Sequence, residues 1–327
     1  MSKCRGCGAL LQSDDNKELG YISKEKMDKA KYCERCFKVI HYNEKVVTHI
    51  DNINDNLLES LNKFDGVILF FLDFLNVNEE TIRTFLKIRT KKSLIISKYD
   101  ILPKSFNDNK IIDYLRSNYH IKDDIYFLST KKNINTKSIL IRLEEKNMSR
   151  VCITGYTNAG KSTFLNKILE NNQMESGITT SLNPNTTVDF MEFKIGNLTI
   201  FDSPGFIYQE NIYSIDDFKF ISKIHSKNMI KPITYQVKKI SSVIVEDVLR
   251  ISSNLDNSFT FYMSNDLDIK RVFEDNKLCN LSCYEFDIKD NQDVVIKGLG
   301  FINIKKACRI KIYIMSDYLF EIRDSMF

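Results

Sequence analysis

The segment GYTNAGKST, residues 155–163, has the glycine and lysine spacing of a loop that binds phosphate groups. Gly155 and Gly160 let the backbone turn so that successive amide N–H groups point at the phosphates. Lys161 adds a positive charge at the β- and γ-phosphates, and the Ser162 hydroxyl reaches a magnesium ion. The predicted contacts of this loop are Gly155, Asn158, Ala159, Gly160, Lys161, Ser162 and Thr163.

The residues around this loop have the pattern that such a loop needs. The run RVCITGY before it reads as a buried strand, and STFLNKILE after it has helical spacing of apolar residues. A helix N-terminus therefore lies beneath the phosphates, where its dipole favours negative charge. A chance glycine-rich turn is the alternative, and the flanking strand and helix disfavour it.

A second phosphate motif, DSPG at residues 202–205, follows the strand-like run LTIFD. Asp202 can hold a water of the magnesium ion, and the Gly205 N–H can meet the γ-phosphate. Between the two motifs lies PNTTVD, residues 184–189, a polar stretch suited to a mobile switch. A threonine there would ligate magnesium, and the motif alignment favours Thr187 over Thr186, although either alone would be an ordinary loop residue.

Two further motifs indicate a guanine site, SKYD at residues 97–100 and LSTKK at residues 128–132. Asp100 can accept hydrogen bonds from the guanine N1–H and amine, which adenine cannot offer. The stem of Lys98 can cover the base. Ser129 and the Thr130 N–H would meet the base oxygen, and Lys131 is a further predicted nucleotide contact. Ser97 stands where asparagine is usual, so one side-chain contact is shortened or lost.

The middle of the chain alternates strand-like and helix-like segments, which is typical of a doubly wound, mostly parallel α/β sheet. Predicted strands cover residues 67–72, 93–97 and 125–129, and predicted helices cover about 79–89, 109–117 and 137–146. Both guanine motifs end a predicted strand, at the edge where open α/β sheets bind ligands.

The order of the four motifs is circularly permuted. In a guanine-nucleotide domain SKYD and LSTKK should follow the phosphate loop, but here they precede it, while DSPG still follows. A permutation keeps every strand neighbour and changes one connection, so the fold tolerates it. Segments before residue 67 or after about residue 229 are then attached beside the DSPG switch.

The first residues contain Cys4-x2-Cys7 and Cys33-x2-Cys36. Four thiolates suffice for a closed tetrahedral zinc site, and disulfides are the alternative. The other four cysteines, at positions 152, 279, 283 and 308, show no paired spacing and fit small core residues.

The length and composition of the chain indicate how many domains it contains. The chain has 327 residues, of which 43% are hydrophobic, and a formal charge of +4, which by itself does not indicate nucleic-acid binding. No apolar run is long enough to span a bilayer. We expect a zinc-finger module at 1–45, a permuted GTPase domain at 46–229, and a mixed α/β domain at 230–327. In that last domain, residues 297–311 carry five basic residues and no acid, which fits a solvated sheet face or a phosphate-backbone contact.

The chain resembles the YqeH family of circularly permuted GTPases. The matching pieces are CRGCGALLQ, YCERCFKVIHYNE, ILPKS, GYTNAGKSTFLN, DSPGF and DVVIKGLGF, which run from end to end. The resemblance implies a cytoplasmic protein that binds GTP and GDP with magnesium, carries zinc, and acts in assembly of the small ribosomal subunit. It also implies a C-terminal domain that binds RNA or protein. We expect a monomer with no membrane partner.

The resemblance also bears on catalysis. Phe206 occupies the position where Ras-like enzymes carry a water-orienting glutamine, and related GTPases with this substitution use a potassium ion held by an asparagine that matches Asn158. The expected catalytic residues are Asn158, Lys161, Thr187, Asp202 and Gly205.

Two alternative functions stay open. One is a nucleotide-gated binding module with negligible turnover. The other is an RNA-binding zinc protein with a degenerate nucleotide site, and the intact GKST and DSPG motifs disfavour this second alternative.

Overall fold

The computed structural model describes residues 10–14, 20–30, 33, 47–104, 106–171, 190–208, 210–212, 215, 218–273 and 281–326. These residues fall into two compact units, Met1–Ile53 and Asn54–Phe327. In the first unit, Gln12 and Tyr21 form a β-bridge, a 3-10 helix follows at Lys24–Lys29, and Cys33 is buried.

The predicted zinc site falls largely outside the described residues, because Cys4, Cys7 and Cys36 are not among them. Within the described part of the chain, no group of three or more His, Cys, Asp or Glu residues is arranged to hold a metal ion. The zinc site therefore stays a prediction.

The second unit contains a six-stranded sheet in the order β3-β2-β1-β4-β6-β5. All neighbours pair in parallel except β5, which runs antiparallel to β6 at the edge. The strands are β1 (Val67–Asp73), β2 (Lys92–Ser97), β3 (Asp124–Phe127), β4 (Arg150–Gly155), β5 (Met191–Ile195) and β6 (Leu198–Asp202). The predicted mostly parallel sheet is thereby confirmed.

The helices predicted at about 79–89, 109–117 and 137–146 are present with ends that differ by at most two residues, as is the helix after the phosphate loop. The helices at 47–62 and 218–224 were not predicted. Helices alternate with these strands. They are α1 (Val47–Asn62), α2 (Glu79–Lys87), α3 (Asp108–Tyr119), α4 (Thr136–Glu145), α5 (Lys161–Asn171) and α6 (Phe218–Ile224). Helix α2 begins with a reciprocal capping box between Asn78 and Thr81, which satisfies two backbone donors at its start. Among the described helices, none combines the length and apolar character that crossing a bilayer requires.

The sheet buries a separate apolar cluster on each of its faces. Strand β1 reads VILFFLD and is buried throughout, so its alternate side chains serve both clusters. Ile68 and Phe70 join the cluster that includes Leu57 of α1 and Phe85 of α2. Leu69 and Phe71 point to the opposite face and join residues of α4 and α5, including Phe164.

The permutation is visible in the strand order. Strand β4 carries the phosphate loop and lies in the middle of the sheet, between β1 and β6. Helix α1 leads directly into β1, which is the place that a helix after DSPG would occupy in the ordinary chain order. The chain is therefore cut between the DSPG segment and α1, and every strand keeps its expected neighbours.

The C-terminal region differs from the predicted mixed α/β domain. Its described residues form ten strands in two antiparallel five-stranded sheets, with one 3-10 turn at Asp317–Leu319 and no α-helix. The strands are β7 (Ile233–Val237), β8 (Ser242–Val245), β9 (Leu249–Ser253), β10 (Asn257–Met263), β11 (Ile269–Val272), β12 (Ser282–Ile288), β13 (Gln292–Ile296), β14 (Gly300–Ile304), β15 (Cys308–Ile314) and β16 (Phe320–Asp324). In β10 and β15 buried residues alternate strictly with less buried ones, a period of two that a helix cannot use. We call this region the β-domain.

The sheet of order β16-β13-β14-β10-β7 contributes to two apolar clusters. Val294 and Ile296 of β13 lie in the core of the β-domain, whereas Val295 lies in the cluster that contains β1 and α2. Phe301 contacts Phe74, with ring centroids 6.2 Å apart. The β-domain and the α/β sheet thus share an apolar core.

Candidate functional site

The phosphate loop leaves the carboxyl end of the central strand β4. Gly155 has φ of +135°, and a Cβ there would lie 2.1 Å from the Phe71 carbonyl oxygen, so the position requires glycine. Gly160, with φ of +90°, and Asn158, with φ of +63°, supply two more left-handed turns before α5 begins. Positive φ angles at these positions are the backbone conformation from which phosphate-binding nests of N–H groups are built.

Lys161 is the first residue of α5, and its ammonium group is almost fully buried inside the loop. The group donates hydrogen bonds to the carbonyls of Gly155, at 3.0 Å, and Tyr156, at 2.9 Å. Burial lowers the pKa of Lys161 to about 8, against the opposing attraction of Asp202. A buried cation that carbonyl dipoles hold is well suited to receive an anion.

The DSPG segment lies against the same loop. Asp202 ends β6, is buried, and is paired in the sheet with Ile153 of β4. A Cβ on Gly205 would lie 2.8 Å from the Lys161 ammonium, so glycine permits this close approach. The structure therefore brings Lys161, Asp202 and Gly205 together as the sequence predicted.

The residue after DSPG is bonded to the phosphate loop through its backbone. The Phe206 N–H donates to the Gly155 carbonyl and the Thr157 N–H donates to the Phe206 carbonyl, both at 3.0 Å. The Phe206 side chain is buried against Phe70 and Tyr156, with ring centroids 6.0 and 5.8 Å away. An apolar ring in the core cannot orient an attacking water.

Helix α1 holds the next residue of this segment. The Asn54 side chain accepts a hydrogen bond from the Ile207 N–H at 3.0 Å and donates one to the Ile207 carbonyl at 2.8 Å. Asn54 precedes the whole sheet in sequence, whereas Ile207 follows β6. The two ends of the permuted cut are thus joined by hydrogen bonds in place of a peptide connection.

The two guanine motifs lie next to each other and next to the phosphate loop. The Ser129 hydroxyl donates to the Asp100 carboxylate at 2.7 Å, which joins the end of β3 to the end of β2. Ser97 is buried, its hydroxyl donates to the Leu72 carbonyl at 3.2 Å, and its Cβ is 4.0 Å from a Cβ built on Gly160. The Ser97 hydroxyl is therefore engaged within the sheet.

Lys98 lies in the left-handed region with φ of +57°, and its ammonium is 2.6 Å from the Asp73 carboxylate. His225 lies in the same neighbourhood, where burial and the charge of Lys98 lower its pKa. Lys131 donates to the Lys227 carbonyl. Asp100 and Lys98 are partly accessible, as a base-binding edge requires.

The remaining predicted site residues differ in their exposure to solvent. The side chains of Asn158, Ser162 and Thr163 are exposed at the mouth of the loop, Ala159 is buried, and Thr130 is half-buried. Thr186 and Thr187 lie outside the described residues, so the switch threonine stays a prediction. The exposed hydroxyl and amide groups of the loop are the ones available to a magnesium or potassium ion.

Sequence reasoning missed three residues of this site, namely Asp73, Tyr156 and Asn54. Asp73 had a readable signal, because it ends a fully apolar strand at the ligand-binding edge of the sheet. Tyr156 stacks on Tyr208 with ring centroids 4.3 Å apart and shares a hydrogen bond with Thr84 at 2.8 Å. Burial raises its pKa. No local pattern marks Asn54, whose partner lies 153 positions away.

Comparison with known proteins agrees with this geometry. A sequence profile of the family described as "50S ribosome-binding GTPase" matches residues 150–259, which begin at β4. Both guanine motifs precede this match, as the permuted order requires. The described fold and the match together establish a P-loop GTPase domain with a mostly parallel sheet.

Individual relatives extend the similarity. GTPase Der of Karelsulcia muelleri is 27% identical over 70% of this chain and 51% of its own length. A probable GTP-binding protein EngB of Mycoplasma capricolum is 25% identical over 51% of this chain and 84% of its own. The GDP-bound structure of TM YlqF aligns over 52% of this chain and 71% of its own with 18% identity and a TM-score of 0.31, too low to support a fold assignment.

The similarity to YqeH covers much more of the chain. YqeH of Bacillus subtilis is 27% identical over 93% of this chain and 93% of its own length. The motifs that predicted the resemblance are spread from end to end, as an alignment of that extent requires. The chain is therefore similar to YqeH over nearly its whole length, and its P-loop GTPase domain is circularly permuted, as the sequence motifs predicted.

Proposed function

We propose that the protein binds GTP, hydrolyses it slowly to GDP and phosphate, and acts as a nucleotide-switched assembly factor for the small ribosomal subunit. One observation carries the nucleotide part. The carboxyl ends of β2, β3 and β4 bring the Asp100–Ser129 pair and the Lys161 loop to one edge of the sheet, with Ser97 beside Gly160. A guanine base and its phosphates fit that arrangement together.

The same edge offers groups for the cations that the reaction would use. Ser162 and Thr187 are the proposed magnesium ligands, with Asp202 holding one of the ion's waters. Asn158 is the proposed potassium ligand. A potassium ion against the phosphates would supply positive charge to the transition state, which is the role of an arginine finger in other GTPases. The burial of Phe206 supports this, because no side chain at that position orients water.

Hydrolysis can be tested by phosphate release from GTP under single-turnover conditions. We expect a slow rate that is higher in potassium than in sodium chloride. Binding of GDP and a GTP analogue without measurable phosphate release in either salt would favour the alternative, a nucleotide-gated binding module with negligible turnover.

The ribosomal part is supported by the match to the family described as "50S ribosome-binding GTPase" and by the charge of the β-domain, and the choice of the small subunit by the resemblance of the motifs to the YqeH family. The basic stretch at residues 297–311 divides into two sets. Lys297, Arg309 and Lys311 pair with Glu80, Asp287 and Glu285 at 2.8 to 2.9 Å. Lys305 and Lys306 are exposed in a turn, and within the described residues neither forms an ion pair. The charges of the paired residues are already neutralised by acidic side chains. The proposed RNA contact therefore depends on Lys305 and Lys306.

That turn belongs to a basic tip at one end of the β-domain, made of turns 238–241, 254–257, 289–291 and 305–307. Hydrogen bonds join the turns: the Lys239 N–H donates to Asp256 at 3.0 Å, and the Ala307 N–H donates to Asp290 at 2.7 Å. The tip carries five lysines and two aspartates. Such an excess of positive charge on a fixed surface suits contact with RNA phosphates.

The subunit assignment can be tested by sedimenting the protein with purified 30S and 50S particles, with GDP or a non-hydrolysable GTP analogue present. We expect association with the small subunit whose affinity differs between the two nucleotides. The double variant Lys305→Ala/Lys306→Ala should weaken it and reduce its salt dependence. Lys110→Ala/Lys122→Ala, which removes two exposed lysines elsewhere, is the matched control. Association with the large subunit alone would overturn the proposal.

A further inference from the structure

Asp73 is buried at the end of β1, directly beside the guanine motif. It is paired in the parallel ladder with Ser97, the residue before Lys98. Its carboxylate is 2.6 Å from the Lys98 ammonium, and the exposed fractions of the two side chains are 7% and 28%. A mostly buried ion pair holds its members in place more firmly than an exposed pair does. Asp73 therefore fixes the position of the Lys98 ammonium.

The Asp73 carboxylate is itself held by the segment that follows it. Its Oδ1 accepts a hydrogen bond from the Leu75 N–H at 3.1 Å, and its Oδ2 accepts one from the Asn76 side-chain amide at 3.4 Å. Asn76 is buried. Its Oδ1 accepts a hydrogen bond from the Gly298 N–H at 2.7 Å. Contacts thus run without interruption from Lys98 through Asp73 and Asn76 to Gly298.

Gly298 lies in the β-domain, in the turn IKGLG between β13 and β14. Its φ of +87° belongs to the left-handed region, which favours glycine at this position. The preceding Lys297 pairs with Glu80 at 2.8 Å, with both side chains mostly buried. The turn thus contacts the segment after Asp73 through a backbone donor and a charge.

Strand β16 holds the same segment from the other side. The Glu79 N–H donates to the Glu321 carboxylate at 2.8 Å, and the Arg323 guanidinium donates to the Val77 carbonyl. Arg323 also pairs with the buried Asp293 at 3.3 Å. The segment from Asp73 to Glu80 is therefore fixed by the β-domain at four of its residues. Removal of one partner would leave buried polar groups unsatisfied.

We propose that Asp73 and Asn76 are positioning residues for Lys98, and that the Lys297–Gly298 turn of the β-domain completes the guanine site by holding Asn76. The inference rests on the proposed function, because it assigns Lys98 to the base. The coupling acts in both directions. A bound guanine base that orders Lys98 should stabilise the docked Lys297–Gly298 turn, and docking of this turn should strengthen nucleotide binding by the same factor.

A double-mutant cycle on the full chain tests the first link. The dissociation constant of GDP is measured for the unmutated protein, Asp73→Asn, Lys98→Ala and the double variant. If Asp73 acts through Lys98, Asp73→Asn should weaken GDP binding about tenfold, and the double variant should bind no more weakly than Lys98→Ala. A merely structural role would make the two losses add, and additive losses would overturn the inference.

Two controls keep that result interpretable. Asp124→Asn breaks an exposed ion pair with Lys146 at the amino end of β3, opposite the end that carries the guanine motif, and should leave GDP binding unchanged. Failure of the unmutated protein to bind GDP would overturn the proposed function instead of this inference. If Asp73→Asn does not fold, Asn76→Ala replaces it in the same cycle.

Amide hydrogen exchange tests the second link. The Gly298 N–H is the donor to Asn76, so its exchange reports whether the turn is docked. GDP should slow exchange in the peptide that covers residues 296–300, and Asn76→Ala should abolish that protection while the Asp124→Asn control retains it. Equal exchange at Gly298 with and without saturating GDP would overturn the coupling.

Discussion

The Asn54 side chain forms two hydrogen bonds with the backbone of Ile207, one as acceptor at 3.0 Å and one as donor at 2.8 Å. In the ordinary order of a GTPase domain, the chain itself would connect the DSPG segment to the helix that Asn54 occupies. Here a side-chain amide makes that connection, so α1 is bonded directly to the end of the segment that we propose contacts the γ-phosphate. The folded protein thereby keeps α1 and the DSPG segment connected, although the permuted order separates them in sequence.

We expect Asn54→Ala to loosen the DSPG segment, because it leaves a partly buried N–H and carbonyl of Ile207 without their partner, at a cost of about 1–3 kcal/mol. Amide exchange of residues 203–208 should accelerate, and the free energy of unfolding should fall. Asn56→Ala, an exposed position on the same helix, is the control. Unchanged exchange in the Asn54 variant would show that the Gly155 and Thr157 bonds to Phe206 hold the segment alone.

Asp100→Asn should transfer base preference from guanosine towards xanthosine diphosphate. Xanthine offers a carbonyl where guanine offers an amine, so an amide donor must replace the carboxylate acceptor. Competition between the two diphosphates in a binding assay measures the change. Ser129→Ala should weaken guanine binding without this reversal, because it removes a bond to Asp100 at 2.7 Å and leaves the carboxylate in place. Equal affinity of the unmutated protein for ATP and GTP would contradict the guanine assignment.

Nucleotide binding should weaken as the pH rises through about 8. Burial lowers the pKa of Lys161 to about 8 in the free protein, so above that pH binding must take up a proton to charge the ammonium beside the phosphates. The same shift has an opposite effect on folding. The unfolded chain binds the proton more tightly, so this group's contribution to stability rises with pH between about 8 and 10.5.

Isothermal titration with GDP between pH 7 and 9 checks the binding prediction. Lys161→Ala should bind more weakly throughout and lose this pH dependence, while retaining any effect that comes from ionisation of guanine itself. A pH profile of the same slope in both proteins would exclude Lys161 as its source.

Asn158→Ala should lower GTP hydrolysis in potassium to the rate in sodium, with GDP affinity largely retained, because the exposed amide is the proposed potassium ligand. Phosphate release in the two salts measures it. Phe206→Gln should not raise the rate, since the position faces the core, and Phe206→Ala should cost about 3–5 kcal/mol of stability. A potassium effect of equal size in Asn158→Ala would refute the assignment.

Protein purified under reducing conditions should contain one zinc per chain, bound by Cys4, Cys7, Cys33 and Cys36. A module of about 45 residues buries too little apolar surface to fold alone, so metal binding supplies its folding free energy. Chelation should therefore unfold the first residues and spare GDP binding, as far-ultraviolet circular dichroism and nucleotide titration would show. Elemental analysis without zinc would refute the site.

The sequence by itself determined the phosphate loop, the guanine motifs and their permuted order, because each depends on local residue types at short spacing. The loop at residues 155–163 needs glycines at particular turns and a lysine at the start of a helix, and both can be identified from the sequence alone. The alternation of strands and helices was readable for the same reason, since periods of 2 and 3.6 residues are local properties. The all-β structure of the described C-terminal residues has a local signal as well, because strands such as NSFTFYM and CRIKIYI alternate with a period of two.

Only the tertiary structure decided which distant residues support the site. Asp73 holds Lys98 because parallel pairing places the ends of β1 and β2 side by side, and Asn76 meets Gly298 across 222 positions of sequence. The pairing of Lys297 with Glu80 likewise removed one cation from a stretch that reads as uniformly basic. Such contacts depend on how sheets pack, and packing energy is summed over many side chains that no local pattern reports.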